Sequence, residues 1–398
     1  MKRFFLIVAA LCITASAVVA QQTVQTPVKG KTGIRLYDKR VPRTEIILPQ
    51  VNGYNIYKAD LHVHTIYSDG NVTPAERINE AWLDGLDIIA ITDHLEYRPW
   101  EKHFLNFTKG YNADKQPIVA KNPNLIKKAA DEDGILADLN WSVELAKIAI
   151  QRYGNMLLIP GIEITREAVA IGHYNALFTK DNNAIYDADP LQSIRNAKAQ
   201  GALITHNHPG WERTSTDYTE FEKKIYAEGL IDGIEITNGK DFYPEIVNRA
   251  VEKKLYMVSA TDIHATTASI YGKQKFYRDM NLIFAKDKSE ASLRKAFLSQ
   301  KTLGYCGGYI IGEKSLLEKF FRASVTVVPA GTTKKGLRVS ITNNTSFDYT
   351  LNDNGRIITL PAFHTVSATL TGDKAIYTVE NMIHTSNQRL VVEFKLAK

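Results

Sequence analysis

Residues 60–70 read DLHVHTIYSDG, and the fold is decided by how often that pattern returns. In an extended segment residues two apart point the same way, so His62 and His64 can grip one cation. Asp60 shares their face and is expected to orient an imidazole. Other segments repeat the theme of a short apolar run ending in a histidine or carboxylate. Asp87–Thr92 (DIIAIT) leads to Asp93-His94, and Met156–Ile162 (MLLIPGI) leads to Glu163, with His173 further on. Ala202–Thr205 (ALIT) leads to His206-Asn207-His208-Pro209-Gly210, and Tyr256–Ala260 (YMVSA) to Asp262-Ile263-His264. A lone strand-end histidine is commonly structural. A series of them on one rim points to a metal centre.

Outward from these clusters the chain alternates strands with helices. Thr73-Pro74 opens a helix to about Leu83, with Glu76 at the capping-box position. Asp138–Arg152 and Pro190–Ala199 each keep apolar residues on one helical face. His173–Phe178, Ile231–Ile236 and Met280–Phe284 supply further strands. The alternation predicts an α/β fold with a mainly parallel sheet or barrel, whose strand C-termini converge on one face. Residues 98–138 interrupt it with a polar insertion, expected as a lid or surface excursion. Beyond about Phe321 the texture changes to short alternating runs, with Asn354-Gly355 as a hairpin signal. The expected organisation is a leader (1–20), an N-terminal extension (21–56), a metal-dependent hydrolase domain (57–321) and a small all-β, sandwich-like domain (322–398).

Residues 1–22, MKRFFLIVAALCITASAVVAQQ, have the charged, apolar and small-residue order of a secretory signal, with cleavage expected after Ala20. The mature protein is expected to be exported, periplasmic or secreted, with no membrane span. A formal net charge of +6 and no dense basic run argue against a stable nucleic-acid complex. The two cysteines, Cys12 and Cys306, exclude a disulfide scaffold and a thiolate metal site in the mature chain. Imidazole and carboxylate ligands suit zinc, manganese or iron.

The ordered set DLHVHTIYSDG, ITDH, GIEIT, GH, HNHPG and ATDIH resembles the PHP (polymerase and histidinol phosphatase) superfamily over residues 57–312. The combinations ITDHLEYRPW, GHYNALF, NHPGW and GIEITNG are similar to its exported bacterial phosphodiesterases of the Sb-PDE type. The resemblance implies a distorted (β/α)7 barrel carrying two or three divalent ions. It implies one ion on His62, His64, Glu163 and Asp262, and a second on Glu163, His173 and His208. A third would lie on Asp69, His94 and His264; some members have His at the position of Asp69. His208 is preferred to His206 because the family's histidine directly precedes Pro-Gly.

Such ions would supply a metal-bridging hydroxide for phosphodiester cleavage, which places His62, His64, Glu163, His208 and Asp262 in catalysis. Arg98 and Arg166 are candidates for the phosphate charge or for ordinary salt bridges, and Asn238 and Lys240, beyond the 231–236 strand, stand beside them on the same terms. Tyr97, Trp100 and Trp211 are candidates for an apolar wall around a small phosphodiester. Cys306 reads as a buried small hydrophobe. The alternatives are a phosphomonoesterase on the same site, an accessory nuclease, and a non-catalytic metal-binding protein. Oligomeric state is not legible in the sequence.

Overall fold

Strand β1 (Asn55–Asp60) pairs in parallel with β2 (Ile88–Ile91), and β2 with β3 (Leu157–Thr165). The computed structural model describes residues 42–101, 138–370 and 374–395. The expected leader, the extension as far as residue 41 and most of the 98–138 insertion lie outside the described residues. Helices α1 (Pro74–Leu83) and α2 (Trp141–Ile150) follow β1 and precede β3 respectively. Thr73 caps α1 by accepting from the Glu76 amide, while the Glu76 carboxylate accepts from Asn79 rather than closing the box. In β2, Ile88 and Ala90 enter one apolar cluster while Ile89 and Ile91 enter another. A parallel strand covered on both faces is apolar throughout for this reason.

Six strands point one way. They are β1, β2, β3, β5 (Leu203–His206), β6 (Gly233–Asn238) and β8 (Tyr256–Ala260), counting β4 (His173–Leu177) as the antiparallel strand inserted between β3 and β5. The expectation of parallel neighbours fails at β4 because only residues 166–172 join it to β3. A parallel crossover needs about a dozen residues or more. Helix α3 (Pro190–Ala199) links the antiparallel β4 and β5, and α4 (Glu220–Ala227) and α5 (Pro244–Lys253) make the remaining parallel crossovers. The short β7 (Asp241–Phe242) forms a hairpin with β6.

After α6 (Thr267–Tyr271), β9 (Met280–Ala285) returns antiparallel to β1. Helix α7 (Glu290–Leu298) leads to β10 (Thr302–Cys306), antiparallel to β9, and then to β11 (Tyr309–Ile311). The wall closes from β8 onto β9 and β10 through side chains. Thr302 Oγ1 accepts from the Met257 amide at 3.0 Å, Asn281 Nδ2 donates to the Met257 carbonyl at 3.0 Å, and Ser259 Oγ donates to the Tyr305 carbonyl at 3.0 Å. The result is the distorted barrel, with the ends of the six parallel strands on one rim.

Helix α8 (Lys314–Ser324) spans the expected boundary at residue 321 and leads into the all-β region. Strands β12 (Val325–Thr333), β13 (Gly336–Asn343) and β16 (Thr365–Leu370) form a three-stranded sheet. Strands β14 (Tyr349–Asp353), β15 (Arg356–Leu360), β17 (Lys374–His384) and β18 (Gln388–Lys395) belong to the barrel's own sheet, because β17 pairs in parallel with β11. The β14–β15 turn carries Asn354 at φ 50° and Gly355 at φ 93°, the left-handed pair a tight hairpin requires. Residues of both sheets, including Val339, Ile341, Leu351 and Val379, share one apolar cluster with β9 and α8. Among the described residues no helix is long and apolar enough to cross a membrane.

Candidate metal centre

His62 and His64 leave the end of β1 with their Nε2 atoms 3.0 Å apart, both fully buried. The other nitrogen of His62, Nδ1, lies 2.7 Å from Glu235 Oε1, which leaves Nε2 to face the centre. The expectation that Asp60 orients an imidazole is incorrect. Its carboxylate accepts from the His62 amide at 3.3 Å and the Thr261 hydroxyl at 2.6 Å, and pairs with Arg278. Asp60 thus ties β1 to the Thr261–Asp262 turn, because its side chain ends among backbone and hydroxyl donors rather than beside a ring. Glu235 is the residue that sequence reasoning missed. Its signal was there: GIEIT occurs at 161–165 and again at 233–237.

Glu163 sits at the middle. Its Oε1 lies 3.3 Å from His62 Nε2, 3.5 Å from His173 Nδ1 and 3.6 Å from His208 Nε2. Its Oε2 lies 2.6 Å from His94 Nδ1 and 3.6 Å from His64 Nε2. Asn207 Nδ2 donates to Oε1 at 2.8 Å, steadying the carboxylate. On one side Asp262 Oδ1 approaches His64 Nε2 at 2.9 Å and His62 Nε2 at 3.3 Å. On the other, Asp69 Oδ2 meets His264 Nε2 at 3.1 Å and His94 Nε2 at 3.4 Å. Gly70 lets the loop after Asp69 run close against the His64 backbone, where a Cβ would lie at 2.7 Å.

All nine candidate ligands therefore converge. Three groups have donor atoms within 4.8 Å of one another: His62, His64 and Asp262; His62, Glu163 and His208; and His64, Asp69, His94 and His264. All three differ from the carried-over sets: the first lacks Glu163, the second has His62 in the place of His173, and the third adds His64. Ring nitrogens outside the cluster are anchored. His173 Nε2 faces the Arg166 carbonyl at 3.1 Å, and His264 Nδ1 the Asp262 carbonyl at 2.8 Å, so the opposite nitrogen of each turns inward. Asp93 holds the intervening loop by accepting from the Thr65 amide at 2.7 Å and Ser68 Oγ at 2.9 Å.

The electrostatics suit a cation. Burial works against charge on His62, yet Asp262, Glu163 and Glu235 outweigh it and raise its pKa well above the usual value. Burial likewise opposes charge on Glu163 and Asp262, but the surrounding imidazoles pull both well below the carboxylate range. His64 goes the other way, pushed down to about 4 by burial and by His94 and His264. Asp69 Oδ1 and Asp262 Oδ1 are buried without a hydrogen bond of proper geometry, although nitrogen donors stand around them. Asp262 and His208 also hold left-handed backbone, φ 50° and 24°, a conformation uncommon for non-glycine residues. Converging, unsatisfied nitrogen and oxygen donors fit divalent ions.

The wider surroundings separate the remaining candidates. Arg98 donates to Glu101 Oε1 at 2.8 Å and to the His94 carbonyl at 2.9 Å, so the structure uses it as a strut for the His94 loop. Arg166 pairs with Glu96 at 2.9 Å and also lines a cleft of about 350 Å³ over the centre, with Tyr97 and Trp211 on its walls. Trp211 packs 5.4 Å from the His173 ring and 5.3 Å from that of His208. Trp100 Nε1 donates to the Asp69 carbonyl at 3.2 Å. His206 stays outside the cluster, with Nδ1 3.0 Å from the Tyr226 hydroxyl and Nε2 3.3 Å from Glu222. Asn238 donates to Glu235 at 2.9 Å. Cys306 is only half-buried, its Sγ 3.5 Å from the Gly239 carbonyl.

The PHP domain model matches residues 60–234. A two-domain protein from Bacteroides vulgatus, containing a predicted PHP-like metal-dependent phosphoesterase, is 31% identical, with a TM-score of 0.76. The match covers 90% of this chain and 99% of that one. A lesion-specific endonuclease from Pyrococcus furiosus matches at 17% identity and a TM-score of 0.37, over 65% of this chain and 59% of its own. No curated protein matches.

Proposed function

The chain belongs to the PHP domain family, and from that premise we propose that it is an exported metal-dependent phosphodiesterase of the Sb-PDE type. The observation that carries the reading is Glu163, one carboxylate with five imidazoles within 3.6 Å, that of His94 nearest at 2.6 Å. Two or three ions of zinc, manganese or iron fit the donor set. When bound, they lower the pKa of a water and balance the charge on phosphate oxygens.

The chain's own residues do the rest. Glu235, Asn207 and the Arg166 and Asp262 carbonyls fix the ligands before substrate arrives, which spares reorganisation during the reaction. Tyr97 and Trp211 give the cleft aromatic walls, and Arg166 brings positive charge to it. A diester carries a single negative charge, which accords with a cleft lined by one arginine that is itself paired with Glu96. The modest net charge speaks for a small substrate rather than nucleic acid, and the leader sequence for export.

The test is metal analysis of the purified protein beside turnover of methyl 4-nitrophenyl phosphate and 4-nitrophenyl phosphate. Bound metal with faster diester cleavage is expected, and Asp262→Asn, which tolerates the same backbone, should lose about 10²-fold or more. Faster monoester cleavage would make the protein a phosphatase, and bound metal with no turnover would make it a metal-binding protein.

A further inference from the structure

A second cleft, of about 570 Å³, borders the candidate centre. It shares Asp262 and His264 with the 350 Å³ cleft, so the two meet at the carboxylate and imidazole rather than lying at unrelated places. Its walls are apolar. Ile270 and Phe276 leave 43% and 48% of their surface open, beside Ile263 and Tyr271. A volume of this order suits a small organic group, and exposed aromatic and branched side chains at a cleft mark a ligand surface rather than random surface apolarity.

Its polar groups are few. Lys240 lies on the rim and makes no ion pair among the described residues. Asp279 lies buried at the floor, accepting from the Gly307 amide at 3.2 Å and the Tyr271 hydroxyl at 3.2 Å. Burial, reinforced by Asp60, pushes its carboxyl up to about 7. The floor therefore repels an apolar group less than an ionised carboxylate would.

We propose that this cleft is the subsite for one organic arm of the phosphodiester, an uncharged aryl or similarly apolar group, while the second arm lies against Tyr97 and Trp211. A diester has two arms on one phosphorus, and two clefts meet where that phosphorus would sit. The inference rests on the phosphodiesterase reading and narrows it to substrates with two sizeable arms, at least one of them apolar.

The test uses probes with P–C bonds, which the enzyme does not cleave. Diphenylphosphinate and dimethylphosphinate carry the same charge and differ in their arms. Calorimetry on the metal-loaded protein should give tighter binding of the diphenyl probe. Phe276→Ala and Ile270→Glu, both at exposed positions, should each weaken diphenylphosphinate by about 10-fold while moving dimethylphosphinate less than about 2-fold. Equal losses on both probes, or none on the diphenyl probe, would overturn the subsite. Turnover of bis(4-nitrophenyl) phosphate, a diester with two sizeable arms, is measured in parallel. Ring-dependent binding without turnover defeats the diesterase reading alone, and turnover without ring-dependent binding defeats the subsite alone.

Discussion

Glu235 Oε1 lies 2.7 Å from His62 Nδ1, and the same carboxylate accepts a 2.7 Å bond from the His208 amide through Oε2. One buried side chain thus orients a ring on β1 and a loop on β5. Removing it should disturb two ligands at once. Glu235→Gln keeps the shape but loses the charge that holds the His62 tautomer, and should lower metal affinity by about 10–100-fold. Competition with a chelator of known affinity measures it. Unchanged affinity would show that Glu235 merely fills space.

Proton release should accompany metal loading. Without a cation, the nearby carboxylates outweigh burial and raise the pKa values of His62 and His208, and that of His94 to about 10. His62 and His94 thus hold protons at neutral pH, and His208 keeps its proton to higher pH than an ordinary imidazole. Each must surrender it to become a ligand, so affinity should rise with pH and fall on acidification. Metal titrations in buffers of different ionisation enthalpy report the release. Identical heats in all buffers would contradict the assignment of these histidines as ligands.

The Asp60–Arg278 pair is buried on both sides. Arg278→Met leaves Asp60 without its cation and should destabilise the fold by about 3–5 kcal/mol. Denaturant unfolding at constant metal provides the measurement. A loss below about 1 kcal/mol would mean that Thr261 and the His62 amide suffice for Asp60.

Asp279 makes a prediction of opposite sign to the usual carboxylate. Its pKa is raised from 3.8 to about 7 in the folded chain. Below about pH 4 the group is protonated in both states and costs nothing. As pH climbs towards 7 the unfolded state gains by ionising first, so stability falls through this window and levels above it. Asp279→Asn lacks that loss, and its stability relative to the parent should grow between pH 4 and 7 by a few kcal/mol at most. A flat difference across that range would place the carboxyl in a more solvated setting.

The ligands were legible because i, i+2 pairs and strand-end carboxylates follow directly from strand geometry. Nine such residues, from His62 to His264, come together on the rim. Glu235 was hidden because it lies inside an apolar run with no histidine beside it, and only the repeated GIEIT marks it. Arg98 looked like a phosphate contact because sequence shows its distance from His94 but not that Glu101, three residues on, captures it. The reversed β4 turned on counting the residues of one connection, a feature that periodicity does not carry. The parallel seam between β11 and β17 joins segments too far apart for any local pattern to register.

The apolar cluster that receives Ile46 and Val51 also contains Leu390 and Val392. Its first and last members are separated by nearly the whole chain, so during synthesis the core stays unfinished until the final strand has emerged. Early-made segments must wait with apolar surface uncovered, and closing a contact over such a separation is slow. Interruption of translation near the end would therefore leave a nascent chain that holds most of its ligands but has no completed interior to support them.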